Sequence, residues 1–376
     1  MAPFSTSTSK MSSDAHALFE EHDTKRVIIY NRPKQINAVT LKMIRLVYPQ
    51  LKAWDESPDV DLILVKGAGD RGLCAGGDIA AITSSARIVM AGGQCSIFED
   101  SFREVYTWGH LVNTLTKPYV ALADGITMGG GLILAVIGKF SVATERSVIS
   151  LPETALGMVP DLGAAYILSR LKSNIGMYLG LTGGRINGAD AYHLGIVSHY
   201  IDSSNLLKVE SALLSAGKLD NKSVDELLNS FKPKVIPEFS LEKLARQIEY
   251  CYGGRTVEEI IERLDSDGSD WAKKQLQILS KMSPTSLKIT HRQIVTSKNK
   301  NYPETLQQDF RITTRIPLTH DLHEGCRAVL IEKDRNPKWN PARLEDVTDQ
   351  QIDQFFKPLP ENKELKFPAR GGTSKL

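Results

Sequence analysis

The sequence predicts an α/β fold whose sheets are covered on both faces, and three observations carry that expectation. Two runs, Leu62-Ile63-Leu64-Val65 and Tyr119-Val120-Ala121-Leu122-Ala123, are apolar at every position, the pattern of strands buried beneath helices rather than of strands with one wet face. Segments with helical spacing alternate with such runs along the chain, as they do in α/β units. Each run also ends close to glycine, at Gly67 and Gly125, where a chain commonly leaves a sheet.

In order along the chain, Val27-Ile28-Ile29-Tyr30 reads as a strand stopped by Asn31-Arg32-Pro33. From Thr40 to Ala53 apolar residues fall at Leu41, Ile44, Val47 and Leu51, helical spacing with Thr40 as its cap. The strands at 62–65 and 119–123 follow, and Val142-Ala143-Thr144 and the run from Ile196 to Ile201 are expected to be further strands. Past Ser203 the pattern turns helical and polar, with Leu206, Leu207, Val209, Leu213 and Leu214 as its first apolar positions and Val235-Ile236-Pro237 as an interruption. Ser283-Pro284 opens another helix, carrying Leu287 and Ile289, and the last apolar helix is expected from about Leu322 to Asp334. The expected organisation is a flexible segment over 1–24, a catalytic core over 25–202, a helical C-terminal region over 203–345 and a polar tail over 346–376.

Of the 376 residues 24% are charged and 41% hydrophobic, with a formal net charge of +2. That is ordinary globular composition, and without a strong field neither nucleic acid nor a membrane is an expected partner. No apolar stretch approaches the roughly 18 residues that a spanning helix needs. Cys74, Cys95, Cys251 and Cys326 form no CxxC pair, which disfavours a zinc knuckle or a disulfide framework and suits a reducing compartment. The chain closes in Ser374-Lys375-Leu376, the form of a receptor-read peroxisomal address, so a peroxisomal location with an import receptor as partner is expected. The segment before Arg26 contains no other Arg and carries acids at Asp14, Glu20, Glu21 and Asp23. It matches a basic amphipathic presequence poorly, which leaves the mitochondrion as the alternative.

Three segments carry candidate chemistry. In Gly72-Leu73-Cys74-Ala75-Gly76-Gly77-Asp78-Ile79, small residues let a ligand approach the backbone and let N–H groups converge on one acceptor. A tight strand-to-helix turn capped by Asp78 accounts for the same residues. Gly125-Ile126-Thr127-Met128-Gly129-Gly130-Gly131 precedes the apolar Leu132-Ile133-Leu134-Ala135-Val136. A helix starting there offers free N–H groups to a developing negative charge, and close helix-on-strand packing is the alternative. In the largely apolar stretch from Leu151 to Gly163, Glu153 and Asp161 each follow a proline. Burial there raises a carboxyl pKa toward proton-transfer range, and two acids in unlike surroundings divide their roles; two helix caps are the bland reading. The histidines form no HExxH and no GxSxG accompanies them, which argues against a Ser-His-Asp hydrolase. His320 and His323 share a helical face without a third ligand, so no metal site is expected.

These three sites, in this order after Asn31-Arg32-Pro33-Lys34-Gln35-Ile36-Asn37-Ala38-Val39, resemble the crotonase (enoyl-CoA hydratase/isomerase) superfamily. Within it the chain is similar to the 3-hydroxyisobutyryl-CoA hydrolase family, through the run from Asp321 to Ala328 and on to Lys333-Asp334 and Pro337-Lys338-Trp339. The resemblance spans about Val27 to Trp339. It implies the ClpP-like spiral of ββα units followed by a helical C-terminal region, with an oxyanion hole formed by the N–H groups of Gly77 and Gly130. It also implies a pantetheine arm along Asn37-Ala38-Val39, with Arg32 and Lys34 as candidates for the CoA phosphates. Hydratases of the superfamily usually carry a glutamate two positions after the triple glycine, where this chain has Ile133. Asp161 stands as the second acid instead, the hydrolase arrangement, with Glu153 attacking the thioester or activating water.

The activity so implied is cleavage of a short β-hydroxyacyl-CoA, 3-hydroxyisobutyryl-CoA foremost, in valine breakdown. CoA belongs to the substrate, no further cofactor or metal is expected, and a homo-oligomer is possible on the family pattern. An enoyl-CoA hydratase or isomerase, and a non-catalytic scaffold or binding subunit, are the rival readings. One departure bears on substrate: where the hydrolases often have glutamate before the helix tyrosine, this chain has Val105 before Tyr106, and Glu104 substitutes only if the helix is shifted.

Overall fold

The computed structural model describes residues 15–367. Its strands are β1 (Ala17–His22), β2 (Lys25–Tyr30), β3 (Leu62–Gly67), β4 (Tyr119–Ala123), β5 (Ile126–Met128), β6 (Phe140–Ala143), β7 (Val148–Ser150), β8 (Ile186–Asn187) and β9 (His199–Tyr200). The main sheet runs β1-β2-β3-β4-β6-β9, parallel except for the β1–β2 hairpin, and a smaller sheet runs β5-β7-β8. Helices α1 (Leu41–Glu56), α2 (Ile79–Met90), α3 (Ile97–Asn113) and α4 (Gly130–Val136) fall between the strands. Thr40 caps α1 as the sequence predicts, its side chain accepting from Met43 N.

Why the strands read as apolar at every position is visible in the two faces of the sheet. Ile28, Tyr30, Ile63, Val65 and Ala121 point into the main core. Alternate residues Val27, Leu62, Leu64, Val120 and Leu122 pack under Val209, Leu213, Val224 and Leu228 of the helices Leu206–Ser215 and Asn221–Ser230. The polar helical stretch after 203 is thus the cover of the second face, and each fully buried leucine there contributes about 2 kcal/mol. A buried ion pair ties the layers together: Lys25 Nζ lies 2.7 Å from Asp61 Oδ1 and donates to the Gly217 carbonyl.

Three expectations are corrected. Residues 17–22, expected within the segment outside the core, form the edge strand β1; Glu20 and Glu21 hid a strand whose Ala17 is buried and whose Phe19 packs edge-on against Trp54. The run 196–201 yields only β9, because the N–H groups of Ile196 and Val197 are taken by the Ala191 carbonyl at a helix end. The helix expected over 322–334 is His320–Cys326 followed by a wider turn over Arg327–Ile331. Beyond it Lys333 and Arg335 adopt positive φ, and Arg327 gathers Glu324, Glu332 and Asp334 around its guanidinium.

Candidate active site

The two glycine-rich segments meet because short backbone pairings hold them side by side. Cys74 N donates to Ile126 O (3.2 Å) and Met128 N to Cys74 O (2.9 Å). A Cβ on Gly131 would fall 2.5 Å from Cys74 Sγ, so this glycine serves close packing. Gly129 sits at φ 55°, ψ −141°, a conformation reserved for glycine. A Cβ there would lie 2.9 Å from Glu153 Oε1. Gly77 and Gly130 are different: nothing lies closer to a Cβ on them than 3.9 and 3.7 Å. The close packing that the sequence allowed is thus seen at Gly131, while Gly77 and Gly130 leave space beside their backbone.

The exposed backbone of those two residues follows from their place in the chain. Gly130 is the first residue of α4, where an N–H has no acceptor inside the helix. Gly77 forms a parallel bridge with Val39 in which Val39 N bonds to Gly76 O and Asp78 N to Val39 O. The N–H of Gly77 itself faces away from that bridge. Asp78 caps α2, accepting from Ala81 N, and pairs with Arg32 at 3.0 Å.

Both glycines line a largely apolar cavity of about 650 Å³, together with Val39, Val105, Glu153 and Asp161. Glu153 opens the short turn Glu153–Leu156 and is buried. Its Oε2 has no hydrogen-bond partner among the described residues. Burial, reinforced by the charge of Asp161, pushes its carboxyl up to about 8. Asp161 keeps some exposure to the cavity while protein surrounds the rest of it. Burial raises it to about 6, and the Tyr106 hydroxyl, donating to Oδ2 at 2.7 Å, restrains the rise. The cavity therefore holds two acids in unlike surroundings beside two outward backbone N–H groups.

Other expected contacts fare unevenly. Asn37 is buried and braces the backbone at Ala68 and Gly72 rather than lining the cavity. Arg32 pairs with Asp78 and donates to the Ala38 carbonyl (2.8 Å), whereas Lys34 is exposed. Glu104 pairs with Arg45 at the surface and does not take the place of Val105, whose side chain lines the cavity. Ile133 is buried inside α4. His323 is bonded to Pro317 O and Arg87, and no cluster of three metal-ligating side chains occurs among the described residues.

The sequence reading passed over the supports behind the acids. Gly157 and Gly325 bring the turn bearing Glu153 against the helix His320–Cys326: a Cβ on either would fall 2.3 Å from the opposing backbone. Ser283 N bonds to Thr154 O, and Ser283 Oγ donates to Asp321 Oδ2 at 2.6 Å. Behind Asp161, the fully buried Asp309 accepts from Gly163 N at 2.7 Å, and burial raises its carboxyl to about 8. The available signal was an acid on the buried helical face that carries Leu306, Phe310 and Thr313 in the helix Tyr302–Thr313.

The model of the family described as enoyl-CoA hydratase/isomerase matches residues 25–356. The chain is 45% identical over 363 residues to 3-hydroxyisobutyryl-CoA hydrolase, mitochondrial, of Rattus norvegicus, covering 96% of this chain and 93% of that protein. It is 44% identical over 354 residues to the protein of the same name from Homo sapiens, covering 93% and 90%. Among solved structures, a carnitinyl-CoA dehydratase from Mycobacterium thermoresistibile superposes with a TM-score of 0.87 at 32% identity, covering 95% of this chain and all of that one. An enoyl-CoA hydratase from Rhodobacter sphaeroides superposes at 0.84 and 30% identity, covering 94% of this chain and again all of the other.

The mitochondrial names overturn the peroxisomal location and import receptor expected from Ser374-Lys375-Leu376, residues that lie outside the described region. A three-residue ending constrains no packing and recurs by chance, whereas identity over hundreds of residues does not.

Proposed function

The chain belongs to the enoyl-CoA hydratase/isomerase family, and from that premise we propose that it cleaves 3-hydroxyisobutyryl-CoA to 3-hydroxyisobutyrate and CoA with Glu153, Asp161, Gly77 and Gly130. It is an acyl-CoA thioester hydrolase, like the mammalian relatives. The observation that carries the residue assignment is the joint placement of Glu153 and Asp161 with Gly77 and Gly130 on one cavity; Ile133, at the sequence position where the superfamily's hydratases usually carry a glutamate, is apolar and buried in α4.

In this reading the thioester carbonyl oxygen sits against the N–H groups of Gly77 and Gly130. Each donor aimed at the oxyanion stabilises the transition state by about 3 kcal/mol. The Glu153 carboxylate brings the new oxygen to the carbonyl carbon, as nucleophile or by taking a proton from water. The C–S bond breaks, CoA leaves as thiolate and is protonated, and hydrolysis is completed by one water. Asp161 receives the β-hydroxyl group of the acyl chain, held in position by Tyr106. No metal or redox cofactor enters this route.

The test is release of free thiol from 3-hydroxyisobutyryl-CoA by wild type, Glu153→Gln and Asp161→Asn. Wild type is expected to release CoA and Glu153→Gln to lose most of the rate. Absence of thiol release by wild type would sink the activity, and full activity in Glu153→Gln would sink the residue assignment. Mitochondrial residence follows from the same relatives and is read by fractionation.

A further inference from the structure

Asp161 lies on a turn that does not hold itself. Leu162 and Gly163 both adopt left-handed conformations, at φ 56° and 85°, which for leucine is a strained choice that surroundings must enforce. The surroundings come from two helices more than a hundred residues away. Asp309, fully buried, accepts from Gly163 N through Oδ2 (2.7 Å) and from Gln293 Nε2 through Oδ1 (2.5 Å). The same Gln293 amide donates to Pro160 O at 2.9 Å, and Tyr302 donates to Leu162 O at 2.9 Å. Backbone groups on both sides of Asp161 are thereby tied to one buried carboxyl and its partner.

A second connection reaches the side chain. Tyr106, whose hydroxyl donates to Asp161, lies 2.9 Å from Thr313 Oγ1, and the Thr313 hydroxyl shares its one proton between Tyr106 and the Asp309 carbonyl, 3.0 Å away. Asp309 and Gln293 do not line the cavity, so neither meets substrate. Burying a carboxyl costs free energy that a leucine at the same point of the buried helix face would not, yet only an acceptor can satisfy the Gly163 N–H. We propose that Asp309, with Gln293, is a positioning residue for the hydrolysis, holding the 160–163 turn so that Asp161 faces the acyl group. The inference rests on the role given to Asp161 above.

The experiment is a double-mutant cycle read as kcat and KM of thiol release, with thermal unfolding of every variant. Asp309→Ala is expected to lower kcat on the order of 100-fold, the effect of misplacing a substrate-positioning group by about 1 Å, with KM near wild type. Asp309→Asn, which keeps an oxygen for Gly163 N, is expected between the two. In an Asp161→Asn background Asp309→Ala is expected to add little, because residues acting as one unit are not additive. Should Asp309→Ala fail to fold, Gln293→Met decides, since it removes the shared amide and leaves Asp309 in place. Wild-type kcat in the folded variants, or a loss multiplied in full onto Asp161→Asn, would overturn the proposal. Wild-type kcat in Asp161→Asn alone would overturn the role of Asp161 instead.

Discussion

The sharpest consequence of the two unlike acids is a pH profile with an identifiable owner. Glu153 is held up to about 8, first by burial and second by the charge of Asp161. If its carboxylate is the working form, only about 1% is ready at pH 6, about 9% at pH 7 and about 90% at pH 9. Since kcat/KM reports the free enzyme, it should climb nearly tenfold per unit up to pH 7 and level off above 8. Removing the Asp161 charge in Asp161→Asn strips the second cause and leaves the first. The midpoint should therefore fall below 8 yet stay above the ordinary carboxylate range, on a lower overall rate.

The assay is loss of thioester ultraviolet absorbance from pH 5.5 to 9.5, which avoids pH-sensitive thiol reagents. A profile falling with rising pH would show Glu153 working as an acid. An unmoved midpoint in Asp161→Asn would show that the two carboxyls do not feel each other. Either result refutes the reasoning.

Burial of Glu153 also has a stability signature. Folded Glu153 keeps its proton up to about 8, whereas the unfolded chain releases it near 4.5, so its contribution to stability falls as pH rises between those values. Glu153→Gln should accordingly gain on wild type with increasing pH, by up to about 4 kcal/mol at pH 8; equal melting-temperature differences at pH 5 and pH 8 would contradict this. Tyr106→Phe removes the donor that restrains Asp161. It should cost about 1 kcal/mol of stability and let the Asp161 carboxyl rise further above about 6, read as a shift in the pH dependence of the melting temperature near that value. Gly163→Ala places a Cβ 2.1 Å from Tyr302 Cε2 at φ 85°. It should destabilise by more than about 3 kcal/mol, whereas Gly217→Ala, with nothing within 4 Å, should change the melting temperature little.

What the sequence disclosed and what it hid divide along physical lines. Strands at 62–65 and 119–123 were legible because both faces are covered, which makes every position apolar. Strands β5, β7 and β8, of three, three and two residues, are too short to show a period. Gly77, Gly130, Glu153 and Asp161 stood out because glycine and proline punctuate their segments. Gly77 and Gly130 were singled out through the family resemblance, whereas the spacer role of Gly131 emerged only from its packing against Cys74. Asp309 left almost no trace, because its partner is a backbone N–H 146 residues away. A main-chain group carries no residue identity through which the pairing could be read.

That division also bears on the run from Asp321 onward, through which the sequence resembles the hydrolases and which lies far from the acids along the chain. No residue after 162 lines the cavity among the described residues, so this region does not select the acyl group by touching it. It acts on the backbone instead. Asp321 takes the Ser283 hydroxyl while Ser283 N holds Thr154 O beside Glu153, and Asp309 holds Gly163 N beside Asp161. Both acids sit on short turns of left-handed or 3-10 backbone, which have little rigidity of their own. Hydrogen bonds from the later helices therefore hold both turns in place. In the proposed reading the groups that choose hydrolysis, Glu153, Asp161 and the apolar Ile133, all lie before residue 163, and the helices behind hold the turns that carry the two acids.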